Sequence, residues 1–195
     1  MVDLYAIAID DVRDIFGASP ELAEELREAA RAAFPPERPR RRGFLPLMKP
    51  EVVDIHRPSA DDLSVLLSGG FVPPERMVPS WRLFHALLDH RAADHQAVEI
   101  APGELDAIEF DLSRNGLDSH YSLRRLAARE LGIPLRGIDG GLIGYAKHTH
   151  VVETAEALRA VLPDVEPRTR EVAEGFLVAC DSAAADEDLD LIVLG

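Results

Sequence analysis

The stretch DLIVLG (residues 190–195) decides the fold that we expect for this chain. A short apolar run of this kind is typical of a buried β-strand. A second such run, LYAIAI (residues 4–9), is followed by acidic residues and is interpreted in the same way. We expect the two strands to pair in a small sheet, against which several amphipathic helices pack. The predicted fold class is therefore α+β, with the N- and C-terminal strands in one sheet.

The segments between these strands carry helix signals. Ser19 and Pro20 are typical of a helix start, and Ser59 with Asp62 forms a pattern resembling a capping box. The spacing of apolar residues predicts further helices. These helices are SWRLFHALLDH (80–90), PGELDAIEFDL (102–112), SLRRLAARELG (122–132) and a segment that includes residues 172–183. A short strand is predicted at AVEIA (97–101).

Length and composition predict one domain over residues 1–195, because 195 residues with 47% hydrophobic side chains can bury a core. Five prolines between positions 35 and 50 indicate a proline- and arginine-rich loop at about residues 35–58. The loop carries the only basic cluster, Arg38, Arg40, Arg41 and Arg42. This cluster either contacts a phosphate or an acidic partner, or belongs to a surface loop whose charges pair with the acidic body.

The formal net charge of −14 argues against nucleic acid and membrane surfaces as main partners. It favours a cationic partner or simply serves solubility. The first residues have no basic segment typical of a secretory signal, and no apolar run has the length of a membrane span. We therefore expect a cytoplasmic protein. The single cysteine, Cys180, lies on the apolar stripe of its helix and is expected to be buried and inert.

Two histidines in GGLIGYAKHTHVVETAEALRAV (residues 140–161) raise the question of a metal site. In a strand, His148 and His150 would point to one face, whereas in a helix they turn about 200° apart. The residues Val151, Ala155, Leu158 and Leu162 repeat at helical spacing, which predicts a helix from about Lys147. We therefore predict no metal site from this pair, and no cofactor.

The remaining residues give no catalytic motif. His85, His90 and His95 are five residues apart, unlike the H-E-x-x-H pattern, and His56 and His120 have no visible partner. There is no G-x-S-x-G sequence, and GGLIG (140–144) is interpreted as a turn that leads into the next helix. The acidic residues Asp186 to Asp188 either bind a cation or form a solvated tail.

Two segments resemble a known bacterial family. In the helix SWRLFHALLDH the matching residues are Ser80, Trp81, His85, Leu87 and Leu88, and in GYAKHTHVVETAEAL (144–158) they are Gly144, Tyr145, Val151, Glu153, Ala155, Ala157 and Leu158. These motifs are similar to those of the YfbM-like family, a domain of unknown function. The resemblance implies an α+β fold and a helix start at position 147. Arg82 replaces one family histidine here, and Lys147 replaces the family's threonine cap.

Two functions remain open from the sequence. The first is a non-enzymatic domain that binds a protein partner or a small ligand, with Trp81, His85 and Tyr145 as ligand-binding residues. Trp81 and His85 share a helix face, which either lines a pocket near Tyr145 or is a core position where His85 finds one hydrogen-bond partner. The alternative is a metal-dependent or other hydrolase with a site around Trp81, His85, Tyr145 and His150.

Overall fold

The computed structural model of the chain describes residues 1–35, 56–137 and 141–195, and in them four strands form one antiparallel sheet. The strands are β1 (Val2–Ile7), β2 (Asp94–Val98), β3 (Ile143–Ala146) and β4 (Asp190–Leu194), in the order β2-β1-β4-β3. The two apolar runs quoted first are therefore the central pair, and every residue of β4 is buried. The predicted α+β fold is confirmed.

Seven α-helices in the described residues cover both faces of the sheet. They are α1 (Ile9–Asp14), α2 (Pro20–Ala33), α3 (Ala60–Leu67), α4 (Met77–Arg91), α5 (Glu104–Arg114), α6 (His148–Val161) and α7 (Pro167–Ala184). Because side chains alternate along a strand, the sheet contributes to two cores. Tyr5 and Ile192 lie in the first core with α1 to α4, whereas Leu4 and Val193 lie in the second core with α5 to α7.

The predicted helix starts have the expected caps. The Ser19 hydroxyl accepts from the backbone N–H of Leu22 at the start of α2 (3.2 Å). At the start of α3, Ser59 and Asp62 form a capping box in which each side chain accepts from the backbone N–H of the other (3.2 and 2.7 Å). These short-range patterns could be read from sequence because all of their partners lie within one turn.

The helix predicted at residues 122–132 is wrong over most of its length. Only Leu123–Ala127 is helical, as a 3₁₀ segment, and Arg129 forms a bridge with Tyr145 of β3. The Tyr145 N–H donates to the Arg129 oxygen (3.0 Å). The segment therefore lies along the outer edge of β3, where it forms a backbone hydrogen bond with the strand instead of hydrogen bonds within a helix.

Three strand assignments also differ from the sequence predictions. The strand predicted at residues 4–9 covers Val2–Ile7, and Ile9 begins α1. The predicted turn at GGLIG contains the start of β3, and β2 covers Asp94–Val98 rather than residues 97–101. β3 has only four residues, too few to show a periodic pattern. A Cβ atom at Gly144 would lie 2.6 Å from the Arg129 oxygen and closer still to the Ala127 oxygen, so this position requires glycine.

Of the loop predicted at residues 35–58, residues 36–55, with the arginine cluster, lie outside the described residues. Among the residues that are described, no helix has the length and apolarity of a membrane span.

Candidate functional site

Trp81 and His85 lie one turn apart on α4 with ring centroids separated by 6.0 Å, so their shared helix face is confirmed. The Trp81 side chain is 5% exposed, and its Nε1–H donates to the backbone oxygen of Arg136 (2.9 Å). An indole whose only donor is satisfied and whose ring lies in the core acts through packing. Trp81 is therefore a core residue here rather than the wall of an open pocket.

Tyr145, the third predicted ligand-binding residue, lies on β3 and is also buried. The cationic groups of Arg13 and Lys147 approach its ring, at 5.7 and 5.8 Å from the centroid. Neither of the two surface cavities described below is lined by Trp81, His85 or Tyr145. The ligand-binding role predicted for these three residues therefore stays a prediction.

His150, the fourth residue of the alternative hydrolase site, lies on the other side of the sheet. It belongs to α6, which packs into the second core, whereas α4 packs into the first. The structure therefore does not bring together Trp81, His85, Tyr145 and His150. The sheet separates the last of them from the other three.

His85 belongs instead to a polar cluster between α4, β1 and β2. Its Nδ1 forms a hydrogen bond with the Tyr5 hydroxyl (3.0 Å), and the Tyr5 ring stacks on that of His95 with centroids 4.3 Å apart. Nε2 and Nδ1 of His95 contact Asp3 and Asp89 at 3.0 and 2.9 Å. The register that places Tyr5 opposite His95 creates this cluster, so the periodicity of a single segment could not reveal it.

The electrostatics of this cluster do not favour nucleophilic catalysis. Burial, and then the charges of Asp89 and Asp3, raise the pKa of Tyr5, so the phenol stays protonated at neutral pH. Burial lowers the pKa of His85, which keeps its ring neutral there. Because these side chains form hydrogen bonds and stacking contacts with one another, we infer that the cluster stabilises the packing of β2 and α4 against β1.

The start of α6 confirms the prediction made for the two neighbouring histidines. The helix begins at His148, with Lys147 as an extended N-cap residue, so His148 and His150 both lie in its first turn. The His150 ring lies 5.2 Å from that of His120 and 6.0 Å from that of Tyr121. His148 lines a cavity instead, so the two rings have different surroundings.

A cavity of about 520 Å³ lies at the end of the sheet where β1 leads into α1 and β3 leads into α6. We call it the sheet-end cavity. Its lining residues are Ala8, Ile9, Asp10, Lys147, His148, Thr149, Glu187, Asp188 and Asp190. The N-cap side chain accepts no hydrogen bond at the start of either helix. At α1 the Asp190 carboxylate accepts from the first N–H, that of Ile9, whereas among the described residues the first turn of α6 has no such side-chain acceptor.

Asp190 connects the two sides of the sheet-end cavity. Its side chain is 4% exposed, and its Oδ2 accepts from the backbone N–H of Ile9 (3.0 Å) and from Nζ of Lys147 (2.9 Å). A buried carboxylate is costly unless it is paired in this way. The sequence signal for this role is the acidic residue at the head of an otherwise apolar strand, but Asp190 was not among the predicted site residues.

A second cavity, of about 300 Å³, lies between α5 and the start of α7. The exposed ring of Phe110 lies at its rim, and Arg168 donates to Glu104 (2.8 Å). The hydrogen bond from Arg168 lowers the pKa of Glu104 to about 2. Because these charges already satisfy one another, the second cavity offers less to a polar ligand than the sheet-end cavity does.

Cys180 is buried on α7, as its place on the apolar stripe predicts. Burial raises the pKa of its thiol to about 12, so almost no thiolate forms at neutral pH. This thiol is therefore not a candidate nucleophile.

Comparisons with protein families, with characterised proteins and with solved structures find no match to this chain. The resemblance to the YfbM-like family therefore stays a prediction. Its first motif contributes Trp81 and His85 to α4, and its second contributes Gly144 and Tyr145 to β3.

Proposed function

We propose that the protein is a binding domain for a small polar molecule that carries both an anionic and a cationic group. The sheet-end cavity is the binding site. The observation that carries this proposal is that hydrogen-bond donors and carboxylates line the same cavity.

The donors favour a carboxylate or phosphate group in the ligand. The first turn of α6 presents backbone N–H groups at the positive end of a 14-residue helix, and it has no side-chain cap. The ammonium group of Lys147 lies beside this turn and is about half exposed. His148, which also lines the cavity, has a buried Nδ1 without a hydrogen-bond partner among the described residues.

The acceptors favour a cationic group in the same ligand. Asp10, Glu187 and Asp188 line the cavity and are exposed to solvent. None of their side chains accepts a hydrogen bond within the described residues, although Asp10 lies 3.6 Å from an arginine, Arg13. Ionised carboxylates accept hydrogen bonds from an ammonium group, and a ligand held at both ends is oriented.

The size of the cavity fits this class of ligand. Small-molecule sites usually enclose roughly 300 to 1,000 Å³. The sheet-end cavity, at about 520 Å³, lies within that range, and the second cavity lies at its lower limit. A molecule of the size of an amino acid or an amino sugar phosphate is accommodated.

A thermal-shift screen with amino acids and aminated sugar phosphates, followed by calorimetry of the hits, tests the proposal. We expect a hit whose affinity falls about tenfold or more in Lys147→Gln and in Asp188→Asn, since each loses a charge-assisted hydrogen bond. Asp164→Asn changes an exposed carboxylate remote from the cavity lining and should leave the affinity unchanged. A screen without hits, or equal affinity in all variants, would contradict the proposal.

A further inference from the structure

A second group of side chains lies on the opposite side of the first turn of α6 from His148. His120 comes from a 3₁₀ turn at Ser119–Tyr121, and His150 and Glu153 come from α6. One potential ligand atom from each of these three residues lies within 4.8 Å of the other two. No partner of His120 is visible in the sequence, because 30 residues separate it from His150.

The local fold holds these three residues on one surface. His150 and Glu153 are three residues apart on α6, so they share a helix face. The 3₁₀ turn is fixed by Asp118, whose carboxylate accepts from the His120 N–H (2.8 Å). The partly buried Tyr121 packs against the second core and stacks on the His150 ring.

In the part of the chain that the structure describes, the three side chains have no other polar partner. Unlike His85, His90 and His95, neither His120 nor His150 makes a side-chain hydrogen bond or ion pair within the described residues, and the same holds for Glu153. Their nitrogen and oxygen lone pairs are therefore available to a ligand. The two imidazoles meet edge to face, with an angle of 68° between the rings, and this contact does not use the lone pairs of their nitrogen atoms.

We propose that His120, His150 and Glu153 bind a zinc ion. Two imidazoles and one carboxylate form a ligand set that suits zinc better than the hard cations magnesium and calcium. Three protein ligands leave one tetrahedral position for water.

The geometry needs only a small adjustment to bind the ion. Zinc–nitrogen and zinc–oxygen bonds of about 2.1 Å place tetrahedral ligand atoms about 3.4 Å apart. Because His120 and Glu153 are exposed, rotation of their side chains closes the remaining gap without a change in the core. The Glu153 carboxylate also offsets half of the zinc charge, which the nearby Arg125 and Arg129 otherwise oppose.

The bound ion joins two separate elements. It connects the turn at Ser119–Tyr121 to the first turn of α6, whose contact otherwise depends on side-chain packing. Zinc is therefore expected to stabilise the protein as well as to occupy the site.

Titration of chelator-treated, tag-free protein tests the site, with zinc for affinity and cobalt(II) as the spectroscopic probe. We expect one ion per chain, the visible absorption of tetrahedral cobalt, and a rise in melting temperature on addition of zinc. His120→Ala and Glu153→Gln should each weaken binding by about tenfold or more. His90→Ala and Glu156→Gln are matched controls, on α4 and α6, and should bind zinc as the unmodified protein does.

Circular dichroism of the metal-free variants separates a lost ligand from a lost fold, because both substituted side chains are exposed. Substoichiometric binding, or equal affinity in His120→Ala and His90→Ala, would overturn the zinc site. Lys147→Gln should leave zinc affinity unchanged, so this experiment and the small-ligand screen fail or succeed separately.

Discussion

At the scale of single residues, Gly144 shows how closely two parts of the backbone approach each other. A methyl group there would meet the backbone oxygens of Ala127 and Arg129, which flexible side chains cannot relieve. We expect Gly144→Ala to reduce the free energy of unfolding by about 2–3 kcal/mol, as for an overpacked core. Urea denaturation measures this loss.

Gly103 provides the control for this substitution. Its φ of +78° strains any other residue, but nothing lies within 4 Å of the added Cβ. Gly103→Ala should therefore cost only about 1 kcal/mol, from backbone conformation alone. Equal losses of unfolding free energy in the two variants would contradict the prediction. They would show that the close backbone contact at Gly144 is not the reason why glycine is required there.

At the scale of secondary-structure elements, β2 lies at the edge of the sheet formed by the described residues, and β1 is its neighbour there. His95 of β2 stabilises this pairing, because its ring stacks on that of Tyr5 and its nitrogen atoms contact Asp3 and Asp89. We expect His95→Ala to lower the free energy of unfolding by about 1 kcal/mol and to speed amide exchange in β2. Hydrogen exchange followed by NMR resolves the strand from the rest.

His90 on α4 is the matched histidine for this test, because its contact with Glu25 (3.3 Å) does not involve the sheet. His90→Ala should leave exchange in β2 unchanged. If amide exchange in β2 is as slow in His95→Ala as in His90→Ala, the strand is stabilised by its packing against α7 and not by the polar cluster around His95.

The elements that could be predicted are those whose signals are local. The caps at Ser19 and Ser59 and the periodicity after Lys147 each span about one to four turns, and α2, α3 and α6 begin where these signals predict. The segment at 122–132 has equally good apolar spacing, yet it lies along β3. Its backbone hydrogen-bond partner belongs to β3, which is distant in the sequence, so the spacing of apolar residues within the segment cannot predict it.

At the scale of the whole molecule, stability depends on pH through two partly buried histidines. Burial lowers the pKa of His85 and of His150, so the unfolded chain binds these protons more tightly than the folded one. The stability that these two histidines contribute is therefore present above the unfolded-state pKa of about 6.5. It is lost as the pH falls below that value. Burial raises the pKa of Glu109, so the contribution of this carboxyl to stability changes with pH in the opposite direction.

Urea denaturation at pH 7.5 and pH 5.8 measures this dependence. The free energy of unfolding should be lower at pH 5.8, and the difference should shrink in His85→Gln. Glu109→Gln should not reduce it. A difference that His85→Gln leaves unchanged would place the titrating group elsewhere.

The candidate sites were largely beyond sequence reasoning, because they are assembled across distant segments. His85 meets Tyr5 and His95 through strand register, and His120 meets His150 through the packing of a turn against α6. The prediction that His148 and His150 diverge depends only on helix geometry, and it is confirmed. The sequence left open whether the helix face of Trp81 lines a pocket or lies in the core, because the partner of its indole, the Arg136 oxygen, is 55 residues away along the chain.

The central pairing of β1 with β4 has a kinetic consequence. Residues from nearly opposite ends of the sequence are neighbours there, so the contact order of the sheet is high. Closing so long a loop costs entropy before any pairing energy is gained, and such topologies fold slowly. During synthesis on the ribosome, β1 cannot acquire this neighbour until α1 to α7 and then β4 have emerged, and its apolar face stays open to chaperones meanwhile.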